Sequence, residues 1–199
     1  MRVTQLNTST YRLVIFASGS GTNAEEIFKF FKNHQQISVA GLLSNNAEAY
    51  ALVRAANHEV PTMVFNRKQF RETDEVVNWL KEKQITHVVL AGFLWLIPEN
   101  LIRTYPGKII NIHPALLPKF GGKGMYGAKV HEAVKAAGET ETGITIHEVN
   151  EQYDEGRILF KAICPVMPDD TPEAIANKVH QLEYAWYPNV IENWVLGSK

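Results

Sequence analysis

At 199 residues, with 45% hydrophobic side chains and a formal charge of −1, the chain has the size and balance of one globular domain, 1–199, with a substantial core. No basic excess points to nucleic acid, and the seven histidines are dispersed rather than clustered, so no metal site is expected. The one cysteine, Cys164, excludes an internal disulfide and argues against structural zinc.

In chain order, Met1 to Thr10 is polar and lacks the apolar segment of a signal peptide, and the longest apolar run, 88–98, is too short to span a bilayer. A cytoplasmic protein without membrane partners is expected. Residues 12–17 (RLVIFA) read as a buried strand, followed by the loop Ser18-Gly19-Ser20-Gly21-Thr22-Asn23 and a helix over 24–33. Strand, glycine loop and helix in that order aim backbone N–H groups and the positive helix end at an anion. Gly19-x-Gly21-x-x-Ala24 also fits a dinucleotide fingerprint, which needs an acid at the end of the second strand. That strand, 37–43, ends in Ser44-Asn45-Asn46, so a lone phosphate is favoured over NAD. A glycine turn without ligand is the third reading.

A helix is predicted over 47–57, a third strand over 60–65, and an amphipathic helix over 69–84 with Val76, Val77 and Leu80 inward. The fourth strand, 85–91, is nearly all apolar, as suits burial on both faces. It runs into Gly92-Phe93-Leu94-Trp95-Leu96-Ile97-Pro98, either a flat apolar slot or a segment packed beneath the next helix, 98–105. A fifth strand covers 108–111. Alternating strands and helices imply an α/β fold with a doubly wound, mostly parallel sheet, whose ligands bind beyond the strands' carboxyl ends. The glycine loop, the apolar loop and the segment after the fifth strand should then meet on one edge.

That segment is Asn111-Ile112-His113-Pro114-Ala115-Leu116-Leu117-Pro118. Side chains two apart on extended chain share a side, and Pro114 biases His113 away from helix. A donor amide beside a titratable ring suits oxyanion stabilisation with proton movement. Beyond it lie a glycine-dense stretch, 121–127, expected to be mobile, and a helix over 128–137. Strands over 143–149 and 157–165 form a hairpin-like pair joined by a loop holding Asp154-Glu155-Gly156. Thr171-Pro172-Glu173 opens a long last helix, with Ile175, Val179, Leu182 and Trp186 as its core stripe and Pro188 as a kink or interruption.

Asn-x-His-Pro-x-Leu-Leu-Pro, followed about forty residues later by Asp-x-Gly, resembles the formyltransferases that use 10-formyltetrahydrofolate, and the likeness spans 12–194. The resemblance implies a formyltransferase fold with a phosphate-binding half, about 12–110, and a folate-cleft and catalytic half, about 111–195. It implies formyl transfer to the amine of 5-phosphoribosylglycinamide (GAR) in purine biosynthesis, with 10-formyltetrahydrofolate as co-substrate and no metal. Asn111, His113 and Asp154 would be catalytic, with His113 as imidazolium. Gly21, Thr22 and Asn23 would hold the phosphate, and Glu183 the substrate. Leu94, Trp95, Leu96 and Ile97 would line the pterin slot with Asn111, and Arg67 would lie near the folate's glutamyl carboxylates. A monomer or weak homodimer is expected. The chain departs from the family's usual Met-Arg at Leu94-Trp95, and from its usual Pro-Gly and His at 121–127. Relatives acting on methionyl-tRNA, a sugar nucleotide or water lack the glycine loop. A nucleotide-binding module without chemistry would not need the Asn–His–Asp set.

Overall fold

The computed structural model describes residues 10–197. The polar stretch read from Met1 lies, Thr10 apart, outside the described residues. The strands β1 (Tyr11–Phe16), β2 (Ile37–Ser44), β3 (Thr62–Val64), β4 (His87–Leu90), β5 (Ile109–His113), β6 (Glu141–Glu148) and β7 (Ile158–Pro165) form one seven-stranded sheet in the order β3-β2-β1-β4-β5-β6-β7. Pairing is parallel from β3 through β5 and antiparallel from β5 to β6 and β6 to β7. This is the doubly wound α/β sheet with a C-terminal strand pair and long last helix that the pattern predicts.

Alternate residues of β1 serve two separate layers. Leu13 and Ile15 enter the one built by α1 (Thr22–Phe31), α2 (Tyr50–Asn57), α6 (Ala128–Ala136) and α7 (Pro172–Gly197). Val14 and Phe16 enter the other, with α3 (Arg67–Arg71), α4 (Glu75–Glu82) and α5 (Glu99–Thr104). A strand buried on both faces must be apolar at every position, hence the unbroken run.

Three expectations are corrected. The helix read over 69–84 is two helices. Asn66 and Gln69 form a reciprocal capping box (2.9 and 2.8 Å) that starts α3 early. Thr73 Oγ1 then donates to Gln69 O at 3.0 Å, and the chain turns before α4. The fifth strand runs two residues further than read, so Asn111 and His113 both stand on β5. In α7, where Thr171 Oγ1 caps the Ala174 N–H at 3.2 Å, the buried row is Ile175, Val179, Glu183, Tyr187 and Ile191. Rows of every fourth residue incline to the helix axis, so α7 crosses its layer obliquely and brings a carboxyl and a phenol inward. Trp186 is outside, 43% exposed, against Phe160 of β7 at 4.9 Å. Pro188 does not end the helix; Asn189 Nδ2 donates to Ala185 O at 2.8 Å beside it.

Candidate active site

The glycine loop leaves β1 and enters α1 through Gly21, which stands at φ 70° with α2 directly behind it. A Cβ there would lie 2.6 Å from Ala51 Cβ, so only glycine fits. Helix α1 begins at Thr22, two residues earlier than read, which puts Thr22 and Asn23 in the first turn, where N–H groups have no helical partner. Ser18 ties this loop to its neighbours. Its N–H donates to Gly92 O (3.1 Å), and its hydroxyl donates to Asn45 Oδ1 (2.7 Å) and accepts from the Leu94 N–H (3.1 Å). Asn23 Nδ2 donates to Glu183 Oε2 at 2.9 Å, joining α1 to α7. Burial pushes the Glu183 carboxyl up to about 7, against the opposing effect of Asn23.

The loop after β4 is mixed in character. Leu94 is 45% exposed, whereas Ile97 is buried beneath α5. Trp95 packs on Phe65 and Phe70 at 6.1 and 5.9 Å, and the Arg67 guanidinium lies over its ring at 5.7 Å. Arg67 is thus drawn to this loop from α3, although nothing in its local sequence indicates it.

Asn111 and His113 project to one side of β5, and β6 runs antiparallel beside them, with Asn111 opposite His147 and His113 opposite Thr145. His113 is buried; its Nε2–H donates to Phe120 O at 2.8 Å, leaving Nδ1 3.5 Å from Asp154 Oδ2. His147 mirrors it. Its Nδ1–H donates to Glu148 O at 2.8 Å, and its Nε2 accepts from Asn111 Nδ2 at 3.1 Å and faces Asp154 Oδ1 at 3.5 Å. Asp154 also accepts the Gly122 N–H at 2.9 Å, anchoring the start of the glycine-dense stretch. Thr145 braces the turn after His113, its hydroxyl donating to Ala115 O and accepting from Leu117 N–H at 2.7 and 3.0 Å.

Burial pushes His113 below its ordinary value, and Asp154 and the Phe120 carbonyl oppose this only in part. Burial also pushes Asp154 up, but the His147 and His113 rings and the Gly122 N–H outweigh it and hold the carboxyl below the usual range. The carboxylate therefore sits between the two rings, 3.5 Å from His113 Nδ1 and 3.5 Å from His147 Nε2, within reach of a proton on either.

A family model described as formyl transferase matches residues 11–191, nearly the whole described chain. The chain belongs to the formyl transferase family. Among curated relatives, the chloroplastic phosphoribosylglycinamide formyltransferase of Arabidopsis thaliana is 40% identical over 192 residues, covering 90% of this chain and 64% of that one. The Vigna unguiculata protein of the same name is covered to 62%, so the chain spans less than two thirds of these two relatives. The phosphoribosylglycinamide formyltransferase of Haemophilus influenzae is 34% identical, with 94% of this chain and 88% of that one covered. Among solved structures, glycinamide ribonucleotide transformylase 1 from Geobacillus kaustophilus superposes with a TM-score of 0.83 at 37% identity, covering 92% of this chain and 97% of that one. The formyl transferase fold expected from the motif is the fold observed. Within it, His147 is the residue that motif reading missed. The alternation Thr145-Ile146-His147 opposite Asn111-Ile112-His113 is the signal that could have found it, once the two strands were known to pair.

Proposed function

We propose that this formyl transferase is a phosphoribosylglycinamide formyltransferase, moving the formyl group of 10-formyltetrahydrofolate to the GAR amine in purine biosynthesis. The observation that carries the reading is the Asp154 carboxylate set 3.5 Å from a ring nitrogen of both His113 and His147, beside Asn111, on the sheet edge that also carries the glycine loop. The phosphate-binding half, about 12–110, would contribute the N–H groups of Gly21, Thr22 and Asn23 to the GAR phosphate, with Glu183 reaching the substrate from α7. For the folate, an exposed Leu94 beside half-buried Trp95 and Leu96 suits a flat ring held by backbone groups. Arg67, its guanidinium over the Trp95 ring, is the cation we assign to the glutamyl carboxylates.

Bound 10-formyltetrahydrofolate supplies an activated formyl group. Asn111 has two amide protons; one serves His147, and the other is free for the oxygen on which negative charge develops. His113, neutral beforehand, takes up the amine's proton on the side facing Asp154. The imidazolium thus forms as the charge it must balance appears; when the bond from the formyl carbon to the folate nitrogen breaks, the ring, held by Asp154, gives that proton to the leaving nitrogen. Among the described residues no group of three or more His, Cys, Asp or Glu side chains is placed to hold a metal ion, and no helix is long and apolar enough to cross a membrane. We take the protein to act in the cytoplasm, as a monomer or weak homodimer.

Mixing the protein with GAR and 10-formyltetrahydrofolate should release folate at an optically measurable rate. Asn111→Ala should slow it by about 10²–10³, the cost of one oxyanion donor. No folate release with GAR would refute the assignment.

A further inference from the structure

We propose that Arg54 is a positioning residue for the anion site. Its guanidinium holds the Ser20 carbonyl outward, so that the Gly21 N–H points at the substrate phosphate, and neutralises the acid that stands one turn below. This rests on the reading of the glycine loop as the phosphate site.

Arg54 lies near the end of α2, its side chain 25% exposed. Nε donates to Ser20 O at 2.9 Å, Nη1 approaches Glu25 Oε2 at 3.4 Å, and the guanidinium lies 5.0 Å from the centre of the Tyr50 ring. One residue earlier in the loop, Gly19 O accepts the Ala51 N–H at 3.1 Å. Both carbonyls are thus drawn toward α2. In a planar trans peptide the C=O and the following N–H point in opposite directions. Drawing the Ser20 carbonyl toward α2 therefore turns the Gly21 N–H away from it. The anion-facing N–H is set from behind, by a group that never touches the anion.

The second half of the argument is charge. Glu25 sits in the first turn of α1, beside the place a dianion would occupy. His58 Nε2 lies 3.1 Å from it and Lys29 Nζ 3.8 Å, and with Arg54 they surround the carboxylate. Arg54 alone of the three is bonded to the loop as well. Its fork serves a carbonyl, a carboxylate and a ring face together, which a lysine ammonium cannot do. Lys29 and His58 still partner Glu25 when Arg54 is replaced, so the variants should fold.

The test titrates inorganic phosphate into wild type, Arg54→Met, Arg54→Lys and Glu25→Gln/Arg54→Met, following the Gly21 and Thr22 amides by NMR, with KM and kcat measured alongside. Arg54→Met should weaken phosphate and raise KM for GAR by about tenfold, the effect of one modest charged contact. The folate KM, kcat and melting temperature should stay near wild type. Arg54→Lys should fall between, and adding Glu25→Gln should recover part of the loss. Unchanged phosphate affinity in both Arg54→Met and Arg54→Lys would overturn the proposal, as would a fall in kcat at constant GAR KM. If Arg54→Met unfolds, Arg54→Lys decides by the same criterion. The amide titration does not need turnover, so an enzyme inactive on GAR would refute the assigned reaction while the phosphate data still judged Arg54.

Discussion

Asp154 faces His113 Nδ1 and His147 Nε2 at 3.5 Å each, and both rings give their other N–H to a backbone carbonyl. Asp154→Asn removes the opposite charge that partly offsets the burial of His113, so the ring's pKa should fall further and kcat should drop while GAR binding holds. NMR titration of His113 in both proteins, with kcat, checks the two halves; an unmoved pKa with unmoved kcat would remove Asp154 from the mechanism. Glu183 gives a prediction of opposite kind. Its carboxyl keeps a proton in the fold up to about 7, whereas the unfolded chain releases it near 4.5. Its contribution is therefore most favourable below pH 4.5 and is lost as pH rises toward 7, by about 3 kcal/mol in all. Glu183→Gln should flatten this part of the stability curve, and denaturant midpoints of the two proteins that run parallel from pH 5 to 8 would contradict it. Asn111 and His113 were legible because they lie in one contiguous motif, and Asp154 because it opens the Asp-x-Gly that follows about forty residues on. His147 was not, because its meaning comes from cross-strand register, and the burial of Glu183 was hidden by the oblique run of α7.

The β6–β7 hairpin depends on Gly156, which lets the connecting loop lie against the strand it has just left. A Cβ there would stand 1.6 Å from Glu148 O. Gly156→Ala must push the loop outward and carry Asp154, two residues before it, away from both imidazoles. The backbone shift should cost about 1–3 kcal/mol of stability, with a disproportionate loss of kcat. Steady-state rates at a temperature where the variant is fully folded test this, and full activity there would show that the loop is not what places Asp154. Helix and strand types were legible from periodicity at this scale, while boundaries were not. The capping box at Asn66 and the Thr73 bond that divide α3 from α4 depend on side-chain geometry that periodicity does not register.

The whole molecule brings the loops after β1, β2 and β4 together through Ser18, as expected when parallel strands end on one edge. The alternation of elements made that edge predictable; the joining of α1 to the far end of the chain was not, since Asn23 and Glu183 are 160 residues apart. This uneven reach has a kinetic consequence. Asn111 and His147 are separated by 36 residues and belong to neighbouring antiparallel strands, whereas the Asn23 contact closes nearly the entire chain. Loop closure of short span precedes that of long span, other things being equal. In pulsed hydrogen exchange during refolding, amides of β6 and β7 should gain protection before the hydrogen-bonded amides of α1 beyond its first turn. The reverse order would mean that the parallel half nucleates. If the expected order is seen, the antiparallel half that carries Asp154 is born first, and the glycine-loop half matures around it only when the last helix arrives.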